Sequence, residues 1–387
     1  MKILLFSENK YAVDILNPLQ EEADRQGGHE VLWYVHKPKI PEFPLANSVT
    51  WTNSIQEAHD FHPDAIFAPG NIVPYYLSGV KCSIFHGYAA EKRDQFHIRN
   101  YFDIYMTQGP YFTHEFLKLQ QERSGASVRA GFPHPASPRA SVRAGFPRPA
   151  SPRASVRAGF PRPDFEVVET GWTRQDWTAR HRHDFDDERR NLLWNYGCDS
   201  IVLYAPTFSP RLSSLPKIKK ALIMLVAKRD VLLLIKLHPL TQKAWVDEYR
   251  QLAKDYSNII FEDDFSVTKY MLMADVMISD TSSTIYEMLL LDKPVITLDT
   301  VSQDPYWKNI NDATLLTEAF DEVFTDKQLS EKRQWIIQNY DPYTDGRCAE
   351  RMLAAAADYI NRYGVPEKRH LNLWRKYVSI KTFGWVK

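Results

Sequence analysis

The amino-acid sequence predicts an α/β protein built of two Rossmann-like domains in tandem, and three observations carry that expectation. Short apolar or β-branched runs alternate with helix-length amphipathic segments along both halves of the chain, the pattern of parallel sheets covered by helices. At 387 residues the chain exceeds the roughly 250–300 at which single cores stop growing. Its 44% hydrophobic and 25% charged residues match an ordinary globular protein and exclude a wholly disordered, collagen-like or coiled-coil chain.

In the first half, KILLF (2–6), HEVLWYV (29–35), DAIFAP (64–69), CSIFH (82–86) and FDIYMT (102–107) predict strands, and YFTHEFLKLQQER (111–123) predicts a helix. FEVVET (165–170) predicts the last strand of that sheet. SIVLYA (200–205), VLLLIKL (231–237), NIIFED (258–263), DVMISD (275–280) and KPVITL (293–298) predict a second sheet, with helices near 214–229, 242–256 and 282–291. Segments 328–340 and 346–363 predict further helices. The polar stretch 172–199 lacks strand periodicity and predicts the joint. The expected domains are therefore 1–172 and 173–363, followed by a basic aromatic tail, 364–387. Ligands of open parallel sheets sit beyond the carboxyl ends of the strands, so two such domains facing a central cleft would line it with both sets of strand ends.

A 14-residue unit interrupts the first half: ASVRAGFPHPASPR (126–139), ASVRAGFPRPASPR (140–153) and ASVRAGFPRP (154–163). Recurring proline forbids a helix or central strand, and one Phe per unit cannot build a core, so 124–163 is expected to be a flexible, disordered basic insert. It carries seven arginines and no acid. Net charge over the whole chain is zero, and without the insert 41 Lys+Arg face 48 Asp+Glu, so the body is acidic. This balance does not point to nucleic acid. Three scattered cysteines form no zinc-type spacing, and the N-terminal apolar run is too short for a signal peptide. The expectation is a cytoplasmic protein, soluble or held peripherally on a membrane.

The chemistry-bearing motifs fall at predicted strand ends. DVMISDTSSTIYEMLLLDKPVITL (275–298) reads strand, polar turn, helix, strand, which places Asp280, Thr281, Ser282 and Ser283 at a helix start. There, unpaired N–H groups and hydroxyls suit a phosphate or diphosphate. Ordinary helix capping, with Thr284 and Glu287 at capping-box spacing, explains the same residues. His238 follows a buried strand and precedes Pro239, and His86 follows a strand of the first half and precedes Gly87. Each could be a structural hydrogen-bonding residue, or a base or cation at a site. In the turn LYAPTFSPRLSS (203–214), Thr207, Ser209 and Arg211 could meet an anion. No GxGxxG, Walker lysine loop or GxSxG is present. The tail 367–387, with six Lys/Arg and interleaved aromatics, suits either an anionic membrane surface or a packed helix.

FHG (85–87), GWTRQD (171–176), LYAPTF (203–208), IKLHP (235–239), DVMISDTSSTIYEMLLLDKPVI (275–296) and DGRCAER (345–351) occur in the order found in a known family. The chain resembles the CDP-glycerol glycerophosphotransferases, teichoic-acid-type primases and polymerases of GT-B fold. It departs from them at Thr281, commonly Tyr, and in the Phe208–Arg211 ending of the APT motif. The resemblance implies transfer of glycerol phosphate, or a similar polyol phosphate, from CDP-glycerol to an acceptor hydroxyl with release of CMP, without cofactor or metal. It implies His86 as general base and His238 as the group steadying phosphate charge. Thr207, Ser282 and Ser283 would hold the diphosphate, beside Arg211, Asp280, Thr281 and Glu287. The acceptor would be a hydroxyl compound, such as a lipid-linked glycan. Alternatives are a nucleotide-sugar glycosyltransferase or epimerase, with Glu287 on the ribose, and a non-catalytic subunit of an envelope assembly complex.

Overall fold

Buried parallel strands read as near-continuous apolar runs because both faces are covered by helices, and both sheets of this chain are built so. The computed structural model describes residues 1–88, 96–124, 163–264 and 267–386. The expected disordered insert at 124–163 lies almost wholly outside them.

The first sheet contains β1 (Lys2–Ser7), β2 (Glu30–Val35), β3 (Trp51–Thr52), β4 (Ala65–Ala68), β5 (Val80–Ser83), β6 (Ile104–Thr107) and β7 (Glu166–Glu169). Its order is β3-β2-β1-β4-β5-β6-β7, all parallel. Helices α1 (Ala12–Gln26), α2 (Ile55–Asp60) and α3 (Pro110–Ser124) connect its strands. The helix-to-strand step after α3 is closed by Gln120, whose Nε2 donates to the Phe165 carbonyl at 2.8 Å.

The polar stretch expected to be a joint forms two helices, α4 (Thr173–Arg180) and α5 (Asp186–Tyr196). The second sheet follows, with β8 (Ser200–Tyr204), α6 (Leu215–Lys228), β9 (Val231–Ile235), α7 (Lys243–Asp255), β10 (Ile259–Phe261), α8 (Thr268–Met273), β11 (Val276–Ser279), α9 (Thr284–Leu290), β12 (Val295–Leu298) and β13 (Lys308–Ile310). Its parallel order is β10-β9-β8-β11-β12-β13. In both sheets the first strand by sequence lies inside, so the strand order reverses beside it, the arrangement that leaves a crevice at the carboxyl edge. Helices α10 (Leu316–Glu322), α11 (Lys327–Asn339), α12 (Cys348–Tyr363) and α13 (Leu373–Phe383) complete the chain.

The domain boundaries differ from the expectation. Among the described residues one unit holds 1–87, 96–124, 163–179 and 340–386, and the other holds Tyr88 and 180–339. The crossing therefore falls after α4, not at 172, and the segments after 340 return to the first unit. The cause is the apolar face of α12. Ala349, Met352, Leu353, Ala356 and Tyr359 are buried there, and the helix packs on α1 and β5. The buried Asp176 carboxylate accepts from the Cys348 and Ala349 N–H groups, both at 2.7 Å, closing the start of α12. Arg351 donates to the Thr170 carbonyl at 2.7 Å and lies over the Tyr343 ring. The DGRCAER motif is thus part of this return.

The tail also belongs to the first unit. Phe383 and Val386 are buried in its core, with the Phe383 ring 5.1 Å from Phe6 and 5.3 Å from His36. Tyr76 Oη donates to the Gly384 carbonyl at 2.6 Å, and Arg369 pairs with the buried Asp103. The outer side of the tail is different: Leu373, Trp374 and Tyr377 of α13, and Trp385 just after it, are 83%, 70%, 52% and 61% exposed.

Candidate active site

At the carboxyl edge of the first sheet, the chain leaves β5 through Phe85, a buried non-glycine residue at φ 57°. A bulky residue in this left-handed region stores roughly 1–2 kcal/mol of strain. Burial of its ring against Tyr105 and Phe116 holds the conformation, which aims His86. His86 Nδ1 lies 3.0 Å from the Pro69 carbonyl. A carbonyl only accepts, so Nδ1 carries the proton and the basic lone pair of the neutral ring is on Nε2. The Tyr11 ring packs 5.4 Å from that of His86. Beside them, after β1, Glu8 pairs with Lys39 at 2.6 Å.

His238 presents the opposite arrangement at the edge of the second sheet. Pro239 occupies the second position of a turn closed by Thr241 N–H to the His238 carbonyl at 2.8 Å, the place where its fixed φ fits. The Leu240 N–H then donates to His238 Nδ1 at 3.0 Å. An N–H only donates, so Nδ1 is the acceptor and Nε2 carries the proton. Burial, with Lys236 adding to it, pushes the His238 pKa down, so the neutral ring offers an Nε2–H donor. The Phe208 ring packs 4.4 Å from it.

Asp280 does not present its carboxylate to a ligand. Fully buried, it accepts from Thr207 N–H at 2.9 Å, Thr281 N–H at 2.6 Å, Ser214 N–H at 2.8 Å and Ser214 Oγ at 3.0 Å. One carboxylate thereby fastens the turn after β8, the start of α6 and the turn after β11, a cause visible only once these three segments converge. Burial pushes its pKa up, against the four hydrogen bonds. The alternative reading, a capping box of Thr284 with Glu287, is not formed: Ser283 is the cap residue of α9 and makes no side-chain cap bond. Ser282 Oγ instead meets Thr284 Oγ1 at 2.8 Å, while Thr281 Oγ1 accepts from Val301 N–H at 3.3 Å. Ser283 is exposed and Ser282 half-buried. Glu287 stands in the first turn of α9, and Arg211 is exposed. The structure thus joins Thr207, Asp280 and Thr281 through one carboxylate and sets His238 against Phe208, while His86 belongs to the other unit. Phe208, Glu8 and Tyr11 were not among the expected site residues, although Glu8 follows its strand much as His86 follows β5.

Two parallel α/β sheets with a histidine at the carboxyl edge of each, one with an accepting and one with a donating Nε2, define a GT-B-like fold. The sequence profile of the CDP-glycerol:poly(glycerophosphate) glycerophosphotransferase family matches residues 151–356, just over half of the chain, and the chain belongs to that family. The teichoic acid glycerol-phosphate primase of Bacillus spizizenii is 37% identical over 99 residues, which is 25% of this chain. The match spans about a quarter, 24%, of that relative's length. Among solved structures, the wall teichoic acid polymerase TagF aligns with a TM-score of 0.61 at 14% identity, covering 93% of this chain and 89% of that one. S. aureus MnaA, in a co-structure with UDP, aligns with a TM-score of 0.61 at 14% identity, covering 93% and 97%. At such identities the likeness is one of fold.

Proposed function

We propose that the protein transfers glycerol phosphate from CDP-glycerol to an acceptor hydroxyl in the synthesis of a cell-envelope polymer. The family match supports the donor, and the observation that carries the chemistry is the opposed proton placement on the two histidines. His86 Nε2 takes the acceptor hydroxyl's proton as its oxygen bonds to the phosphorus that bears glycerol. The bond from that phosphorus to the CMP oxygen breaks, and CMP leaves with the electron pair. His238 Nε2–H donates to a phosphate oxygen on which charge gathers, as phosphoryl transfer requires. Thr207 and Thr281 supply hydroxyls, and Ser282 and Ser283 hydroxyls or N–H groups, to the diphosphate, in turns held by Asp280.

A polymer acceptor of this kind is lipid-linked in our reading, and α13 lies on the anionic membrane surface that carries it. Supporting this are the four exposed apolar side chains of the tail and the six basic residues among 367–387. Among the described residues no helix is long and apolar enough to cross a membrane. Because Phe383 and Val386 are core residues, truncation would unfold the first unit, so surface substitutions are the cleaner test. Trp374→Ala with Tyr377→Ala and Trp385→Ala is expected to abolish sedimentation with phosphatidylglycerol vesicles at unchanged melting temperature. Undiminished sedimentation removes α13 from the membrane.

The reaction itself is tested by incubating the full chain with CDP-glycerol and with UDP-sugars and measuring released nucleotide. CMP release that depends on an added acceptor is the expected result. UDP release, or none from CDP-glycerol, would favour the nucleotide-sugar enzymes that share the fold.

A further inference from the structure

The carboxyl edge of the first sheet holds a second polar group beside His86 that the transfer step does not use. In the strand order β2-β1-β4-β5, Glu8 follows β1, Pro69 and Gly70 follow β4, and His86 follows β5. Two strand spacings, about 10 Å, separate the Glu8 and His86 backbones, and Gly70 sends no side chain into that interval. Glu8 leans across it: a Cβ built on Gly70 would lie 2.6 Å from Glu8 Oε2. Gly70 is not in the left-handed region, so an added methyl would act through this close approach, by displacing the end of the Glu8 side chain, and not through the backbone angle.

The Glu8 side chain is only 13% exposed, and Lys39 holds its Oε1. Among the described residues, Oε2 accepts no hydrogen bond. Oε2 is not among the buried side-chain oxygens that lack a partner, so it remains open to a donor that enters beside His86. Tyr11, whose Oη accepts from Asn9 Nδ2 at 3.1 Å, closes the third side with its ring against His86. The Tyr11 pKa is raised by burial, with the Glu8 carboxylate adding to it, which places the two groups in one electrostatic neighbourhood.

We infer that Glu8, Gly70 and Tyr11 form an acceptor cradle that recognises a vicinal diol, the hydroxyl beside the attacking one donating to Glu8 Oε2. One hydroxyl gives its proton to His86 Nε2, its neighbour is held by the carboxylate over Gly70, and the carbon face between them rests on the Tyr11 ring. A carboxylate only accepts and therefore suits a hydroxyl, whereas the phosphate end of an acceptor would be repelled. The terminal unit of the acceptor enters with its free diol first. This inference rests on the transfer reaction proposed above.

The test uses two soluble acceptors that differ by one oxygen: a glycerol phosphate oligomer ending in a free 1,2-diol, and the same oligomer ending in propane-1,3-diol phosphate. The wild-type chain is expected to prefer the diol by about 10- to 100-fold in kcat/KM, the range for losing a hydrogen bond to a charged group. Glu8→Ala is expected to erase that preference while leaving kcat/KM for the deoxy acceptor and KM for CDP-glycerol within about twofold. Gly70→Ala, whose new methyl displaces the carboxylate, should do the same and covers the case in which Glu8→Ala folds poorly. Equal losses on both acceptors, or no wild-type preference, overturn the cradle. Absence of CMP release with every acceptor instead defeats the transfer reaction. In that case, saturation-transfer NMR of glycerol 3-phosphate against propane-1,3-diol phosphate still decides the cradle without turnover. A diol preference lost in Glu8→Ala supports it, and none in the wild type overturns it.

Discussion

His86 and His238 each follow a parallel strand, yet the backbone fastens their rings in opposite senses. A carbonyl across the strand gap, Pro69 O, takes the Nδ1 proton of His86, and an N–H two residues ahead, that of Leu240, occupies Nδ1 of His238. The neutral first ring is left with an accepting Nε2 and the second with a donating one. Residue type and position at a sheet edge therefore do not fix which nitrogen carries the proton; the hydrogen bond made by Nδ1 does. The supporting devices differ as well. His86 is aimed by a strained Phe85 whose ring is locked in the core, whereas the His238 side depends on turns held by one buried carboxylate.

The largest expected effect divides the two histidines directly. His86→Gln removes the base and should lower kcat by about 10²–10⁴-fold, with no rescue over His86→Ala. His238→Ala should cost about 10²–10³-fold, but His238→Gln, which keeps an N–H donor, should recover roughly tenfold of it. Equal behaviour of the two Gln variants would break the comparison. Long-range ¹H–¹⁵N spectra give the same answer without activity, with the proton expected on Nδ1 of His86 and on Nε2 of His238.

Asp280→Asn sharpens the contrast between strain and carboxylate. An amide cannot accept on both sides, so at least one N–H donor is left facing an NH₂ group. A loss of about 2–4 kcal/mol follows, read as a lower melting temperature together with a raised KM for the nucleotide donor. The His86 resonances should stay in place. If they move while those of His238 do not, the division of labour is wrong.

The smallest effect is on pH dependence, and it belongs to the second unit alone. Burial pushes the Lys293 pKa down to about 8, with its ammonium donating to the Met271 and Leu272 carbonyls. The unfolded chain holds that proton up to about 10.4, so between these values it binds more protons than the folded state. Stability relative to Lys293→Met should therefore rise as pH goes from about 8 to about 10 and be level below about 7. Melting curves of the two proteins across that range test the sign, and a falling difference contradicts it.

Much of the fold could be read from apolar runs alone, because strands such as VLLLI and AIFA are covered on both faces and so contain almost no polar residues. Strands β3 and β13, of two and three residues, are too short to make a pattern. The return of α12 was hidden for another reason. Amphipathic spacing shows that a helix buries one face, but not which sheet receives it, and the deciding partners are Asp176 and Thr170, about 170–180 positions upstream. At the site, the strand-end positions of His86, His238 and Asp280 were visible. The partners of His86 and Asp280 were not, since Pro69, Thr207 and Ser214 meet them through tertiary structure, whereas the partner of His238, Leu240, is only two residues ahead. Glu8 gave one signal, its place after the first strand, and the glycine that makes room for it lies 62 residues away.

The late return of the chain also sets an order of events during synthesis. The second unit's sheet and helices lie within one continuous stretch, 180–339, and can assemble as that stretch emerges. The first unit has its strands by residue 169, but Phe383 and Val386 of its core come about 200 residues later, roughly 10–40 s at typical elongation rates. Through that interval Phe6 and Tyr34 lack the aromatic ring that finally covers them. The half of the molecule made first is thus the half finished last, and its exposed core would be the natural place for a chaperone to wait.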